Sequence, residues 1–182
     1  MITTIARAAT TALVASALLI GCSTVPPTTE ERDELLQKAE AERQEWKKVD
    51  PDMEAFVQKR YGFAFFPEIT KGGAGIGGAY GRGVVYEQGK HVGYADVTQG
   101  SIGLQIGGQT YSELIVFQDK YAFDRFKRNA VDFGANASAI MATSGAATNA
   151  PFVDGIAVFV RPIAGAMAEA SISGQRITYA PK

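Results

Sequence analysis

One cysteine, one histidine and one tryptophan are all that the 182 residues hold of these types. With Cys22 alone, no internal disulfide and no multi-cysteine metal site can form. A Ser-His-Asp triad could be built only around His91, and no G-x-S-x-G elbow accompanies it. Its place at a predicted hairpin edge reads as a solvent-exposed turn histidine. The carboxylates Glu68, Asp96 and Glu113 fall on different predicted strands, so spacing pairs no two of them as acid and base. No catalytic residue, metal site or cofactor is assigned, and the chain is expected not to be an enzyme. An excess of either charge is also missing: 18 basic against 19 acidic residues, net −1, argue against nucleic acid as a partner. The uncharged run "AATTALVASALLI", Ala8 to Ile20, has thirteen residues. That falls short of the ~20 needed to cross a bilayer, and it reads as a secretory signal.

What is present is a globular composition, 46% apolar and 20% charged. The leader ends in Leu19-Ile20-Gly21-Cys22, which resembles the bacterial lipobox, where the cysteine thiol is acylated and the chain is cleaved just before it. The resemblance implies a signal peptide over 1–21, lipidation at Cys22 and a linker over 22–29. Two or more acyl chains hold a protein stably on a bilayer where one is marginal. The mature protein is thus expected to be membrane-anchored and to face the periplasm. Ser23 in place of aspartate after the cysteine implies, by resemblance to enterobacterial sorting, the outer membrane of a Gram-negative cell.

Beyond the linker the composition changes. Pro26-Pro27 is a stiff spacer, and Thr28 with Glu31 three residues on forms a capping-box signature. Leu35, Ala39, Glu42, Trp46, Val49, Met53 and Phe56 follow at spacings of four and three, an apolar stripe interrupted only by Glu42. Asp50-Pro51 reads as an N-cap with proline at the first helical position. The spacing predicts two helices, about Thr29 to Val49 and Pro51 to Tyr61, with a helical lead assigned to 30–52. Residues 30–54 hold ten acidic and five basic side chains, whereas 55–182 hold nine and twelve.

Next comes "KGGAGIGGAYGRG", Lys71 to Gly83, with a literal G-x-G-x-x-G at Gly73, Gly75 and Gly78. A dinucleotide loop needs a helix opening directly after its glycines. Here "AYGRGVVYEQGKHVGYADV" follows, rich in Val, Tyr and Gly around a turn-like "EQGK", which predicts a hairpin. At period two, Gly73, Gly75, Gly77, Ala79, Gly81 and Gly83 share one strand face, nearly bare of side chains, while Ile76, Tyr80, Arg82, Val84 and Tyr86 share the other. "GSIGLQIGGQ" repeats the pattern, with Gly103 and Gly107 on one face and Ile102, Leu104 and Ile106 on its opposite. Such a face admits another backbone or a ligand at close range, so the glycines are expected to shape a curved sheet.

"YSELIVFQD" is predicted as a strand ending in helix signals. "KYAFDRFKRN" then places Ala122, Phe123, Phe126 and Ala130 on one face of a short basic helix, opposite Lys120, Asp124, Lys127 and Arg128. "DFGANASAIMATSGAATNAP" suggests a strand and then a loop near Ser144 to Ala150. "GIAVFVRP" and "GAMAEASISGQRITYA" suggest two closing antiparallel strands. The fold class is α+β: an antiparallel, Gly-rich curved sheet or partial barrel with N-terminal helices and one short basic helix.

The stretch from Gly62-Phe63 and Phe66-Pro67 through the Lys71 glycines to "GSIGLQIGGQ" resembles the first half of the SYLF domain, the lipid-binding module of yeast actin-patch proteins and many bacterial lipoproteins. "DFGANASA" and "IAGAMAEASISGQRI" resemble its second half, so a SYLF-like domain is assigned to 53–182. Many relatives carry Gly-Pro and an arginine where this chain has Gly145, Ala146, Ala147 and Thr148. The resemblance implies membrane phospholipids as partners, bound through anionic headgroups; for a periplasmic protein actin binding does not carry over. The cations available for headgroups are Lys120, Arg125, Lys127 and Arg128 on the short helix and Lys71 and Arg82 beside the glycine face. Alternatives are a periplasmic scaffold that binds an envelope protein through the Trp46 helix, and a hydrolase acting on lipid or glycan. Oligomeric state is not assigned.

Overall fold

A computed structural model of the chain describes residues 24–129, 131, 133, 139–165, 172 and 174–182, with the backbone alone for 74–76 and 101–106. Cys22, the leader, Ala130 and most of the "DFGANASA" and "GAMAEASIS" stretches lie outside the described residues.

Helix α1 runs over Thr29–Val49, as the periodicity predicts. Thr28 Oγ1 accepts the Glu31 N–H at 3.2 Å, and Glu30 and Glu31 at the start with Lys47 and Lys48 at the end suit the helix dipole. The second helix, α2, is shorter than predicted, Met53–Gln58. Asp50 closes α1 instead of opening α2. It is buried, and its two oxygens accept the backbone N–H groups of Asp52 and Ala147. This welds the helical corner to the 144–149 turns, where Ala147 is also buried.

Strands β1 (Gly62–Glu87) and β2 (Lys90–Phe117) form one long antiparallel hairpin. Its turn residues Gln88 and Gly89 sit at φ 49° and 76°, the left-handed pair that a two-residue hairpin turn requires. No helix opens after Gly78, where strand continues, so the glycine stretch is not a dinucleotide loop. Asp96 and Glu113, expected on separate strands, share β2. The ladder slips where Ala74 pairs with Ile106 but Gly75 with Gly103, leaving two extra residues on β2. A bulge of this kind bends a strand, and the hairpin folds over so that the two arms of β1 meet. The Gln88 N–H donates to the Tyr61 carbonyl at 2.9 Å, and Gly83 and Gly81 lie under Phe65–Phe66 and Glu68–Ile69. A Cβ at Gly81 would stand 2.6 Å from the Glu68 carbonyl oxygen, and one at Gly83 2.7 Å from that of Phe65. The expectation of close approach fails at Gly107, which has nothing within 4 Å of its Cβ position and instead adopts φ 136°.

After β2 come helix α3 (Lys120–Lys127), the two-residue β3 (Ile140–Met141), β4 (Ile156–Ala164) and β5 (Gln175–Pro181). Among the described residues the closing strands do not pair with each other. Both run antiparallel to β2, β4 along Thr110–Phe117 and β5 along Gly93–Gln99, while β3 pairs parallel to β4. Among the described residues, counting each arm of the bent hairpin separately gives seven strand segments in a curved sheet that does not close. The α+β class and curved sheet thus stand as expected.

Residues 111–117 are buried without exception, because β2 is covered on both faces. Tyr111, Ile115 and Phe117 point inside the curve with Phe66, Val97, Phe123 and Phe126. Leu114 and Val116 point outward, where Trp46, Met53, Phe65 and Phe159 fill the layer under α1 and α2. Burial of side chains this large contributes roughly 1.5–3 kcal/mol each. Glu42, the exception in the stripe, is met by Arg161 from β4, whose Nε and Nη2 reach its carboxylate at 2.7 and 2.6 Å. The Ser112 hydroxyl donates to the same carboxylate at 2.6 Å while accepting from Trp46 Nε1 at 2.8 Å.

Candidate functional site

Helix α3 forms where Asp119, extended at φ −143°, caps it by accepting the Ala122 N–H at 2.9 Å. Ala122, Phe123 and Phe126 turn inward onto Phe117, Tyr61 and Tyr179. Lys120, Tyr121, Arg125, Lys127 and Arg128 are left on the outer side or flanks. The structure therefore brings the four predicted α3 cations together at one end of the molecule, beside the hairpin turn.

They are not equally available. Lys120 Nζ donates to Asp124 at 2.6 Å, and this bond lifts the lysine pKa and lowers that of the aspartate. Lys127 lies 3.4 Å from Glu87 and 3.5 Å from Asp124, with its ammonium 4.9 Å from the Phe123 ring centre. Arg125 and Arg128 make no ion pair among the described residues. Arg125 sits 5.9 Å from the ring centre of Tyr121, a tyrosine 70% exposed.

Lys71 and Arg82 are not part of this cluster. Lys71 of β1 pairs with Gln109 of β2, near the bend. Arg82 stands opposite Asp96 in the ladder and 3.6 Å from Glu31 of α1. A groove of about 950 Å³ between α1 and β1 is lined there by Glu31, Glu34 and Glu68 against Lys38 and Arg82. Its carboxylates outnumber its cations, which disfavours an anionic ligand.

The residues weighed for catalysis do not converge. His91 is half-buried between Tyr86 and Tyr94, not a free turn residue, and its Nε2 meets the Gly93 carbonyl at 2.9 Å. Burial lowers its pKa. Glu68 is exposed, Asp96 accepts the Thr24 hydroxyl at 2.8 Å, and Glu113 is sealed inside the sheet with Gln175. Ser112, hydrogen-bonded to a carboxylate, is wholly buried and fastens α1. Trp46, weighed as a protein-binding surface, is 2% exposed and spent on the chain's own sheet.

Sequence reasoning passes over Lys59 and Arg60. They end α2, and chain folding sets them beside Lys120 around a polar cleft. The adjacent basic pair is visible in the chain, but nothing local indicates that α3 starts next to it.

Residues 98–181 match the family model Ysc84, described as "Las17-binding protein actin regulator". The matched span includes α3 and all four of its cations, but neither Lys71 nor Arg82. Over 133 residues the chain is 27% identical to "Beta cell expansion factor A" of Aeromonas veronii, covering 69% of this chain and 48% of that protein. The chain thus spans about half the length of that relative. Neither description names an enzymatic activity.

Proposed function

We propose that this chain, whose residues 98–181 match the Ysc84 model of the SYLF family known for lipid binding, binds anionic phospholipids without catalysing a reaction on them. The observation that carries the reading is the outer surface of α3, where Arg125 and Arg128 make no ion pair among the described residues, beside the exposed Tyr121. Arginine offers planar donors to phosphate, and a tyrosine with a wet phenol end suits the headgroup layer. The same proposal places the protein on a membrane facing the periplasm through lipidation at Cys22, with delivery to the outer membrane.

The test uses the chain starting at Ser23, which keeps every described residue and removes the proposed anchor. It is expected to co-float with phosphatidylglycerol vesicles, and Arg125→Glu with Arg128→Glu to weaken that partition by tenfold or more. Each cation near an anionic surface contributes about 1 kcal/mol. Wild-type affinity in the double variant, with an unchanged circular dichroism spectrum, would remove α3 from the reading.

A further inference from the structure

Beside α3, the end of α2, the β1–β2 turn and the start of α3 enclose an open cleft of about 580 Å³. Lys59, Arg60 and Lys120 line it together with Gln58, Gln88 and Gln118, Gln58 Nε2 donating to Glu54 at 3.1 Å. Lys59 is exposed, and neither it nor Arg60 ion-pairs with a carboxylate among the described residues. Arg60 is held by aromatic faces, its guanidinium 4.7 Å from the Phe56 ring centre and 5.2 Å from that of Phe152. One carboxylate lines the cleft, Asp119, and its Oδ1 is engaged in capping α3. Two cations without an ion pair among the described residues, Lys59 and Arg60, thus line a space beside Lys120, which Asp124 engages at 2.6 Å, and such a space suits a phosphate carrying hydroxyl groups.

The rim points to a bilayer as the source of that phosphate. Phe152 stacks on Phe56 at 5.9 Å, and the Gly155 carbonyl accepts the Gln118 N–H at 2.8 Å. The turn between them therefore borders the cleft. Val153 in this turn is 72% exposed, and Tyr121, next to Lys120, is 70% exposed. Two apolar side chains presented to solvent beside a cationic cleft complement a phospholipid surface, charge to the phosphates and rings or methyls to the acyl boundary.

We propose that this cleft seats the headgroup of an anionic phospholipid, with Tyr121 and Val153 entering the bilayer on either side of it. The assignment rests on the phospholipid reading above and adds a seat and an orientation: the hairpin-turn end of the sheet faces the membrane, and the bend of the hairpin lies away from that seat.

Trp substitutions at the rim test this, read on the chain starting at Ser23. Tyr121→Trp and Val153→Trp are expected to shift their emission to the blue on phosphatidylglycerol vesicles and to be quenched by brominated acyl chains. Buried Trp46 supplies a constant background. Lys59→Glu is expected to lower vesicle affinity roughly tenfold, as reversal of a charge at an anionic surface does, while Lys38→Glu, across the molecule, leaves it within about twofold. Vesicle binding with no blue shift at either position and an unaffected Lys59→Glu variant would overturn the cleft and leave the phospholipid reading standing. Absence of wild-type binding to anionic vesicles would overturn both. Saturable binding of glycerol 3-phosphate in the absence of vesicle binding would make the ligand a soluble phosphate and overturn the bilayer assignment.

Discussion

Inside the curve of β2, between Phe66 of β1 and Val160 of β4 in register, the Glu113 carboxyl has one side-chain donor, Gln175 Nε2 at 3.0 Å. Its other oxygen has no hydrogen-bond partner among the described residues. Burial pushes its pKa up to about 7, with Gln175 opposing, and no nearby cation offsets it. The folded state therefore holds a proton that the unfolded chain, ionising near 4.5, releases. The stability this proton supports is fully present below about pH 4.5 and is lost as pH rises towards 7, a change on the order of 3 kcal/mol. Glu113→Gln keeps the shape without the titration. The melting temperature of wild type is expected to fall relative to that variant between pH 5 and 8; parallel curves would contradict a buried, protonated Glu113. The sequence displays the charge at this position within "YSELIVF" but not its burial, which depends on β4 and β5 covering both halves of β2.

At the scale of elements, the glycines of β1 divide by what faces them. Gly81 and Gly83 let one arm of the strand lie on the other, and a methyl group at either would press on a carbonyl oxygen. Gly81→Ala and Gly83→Ala are each expected to cost roughly 1–3 kcal/mol in chemical denaturation. Gly100→Ala, with nothing within 4 Å of the new atom, is expected to change stability by less than about 0.5 kcal/mol. Equal losses at all three positions would indicate a general strand effect and not a close crossing. Features encoded by neighbouring residues are legible in the chain itself: the Thr28 cap and stripe of α1, the Gln88–Gly89 turn, and the inward face of α3. Period-two spacing also displays the bare glycine face. It does not display the two-residue slip near Ala74, the crossing of the β1 arms, or the attachment of β4 and β5 to different halves of β2, because pairing partners lie tens of residues apart. Asp50 misleads for a related reason: a buried donor from Ala147, 97 positions away, fixes its role.

Seen whole, the molecule separates its charges. Carboxylates of α1 and β1 line the groove near the start of α1. Cations from α2 and α3 gather at the hairpin-turn end, with two exposed apolar side chains. The α3 cations are legible as a basic run, whereas their union with Lys59 and Arg60 is not, since it depends on the bent hairpin bringing the end of α2 to the start of α3. Such an end should meet an anionic bilayer by electrostatic attraction reinforced by shallow apolar contact, the first term fading with salt and the second persisting.

The measurement that bears most directly on this is the partition of the chain starting at Ser23 between vesicles of phosphatidylcholine alone and vesicles containing phosphatidylglycerol, followed as salt is raised. We expect binding only where the anionic lipid is present, weakening steadily with ionic strength. Equal binding to both vesicle types, unaffected by salt, or no binding to either, would contradict recognition of anionic phospholipids.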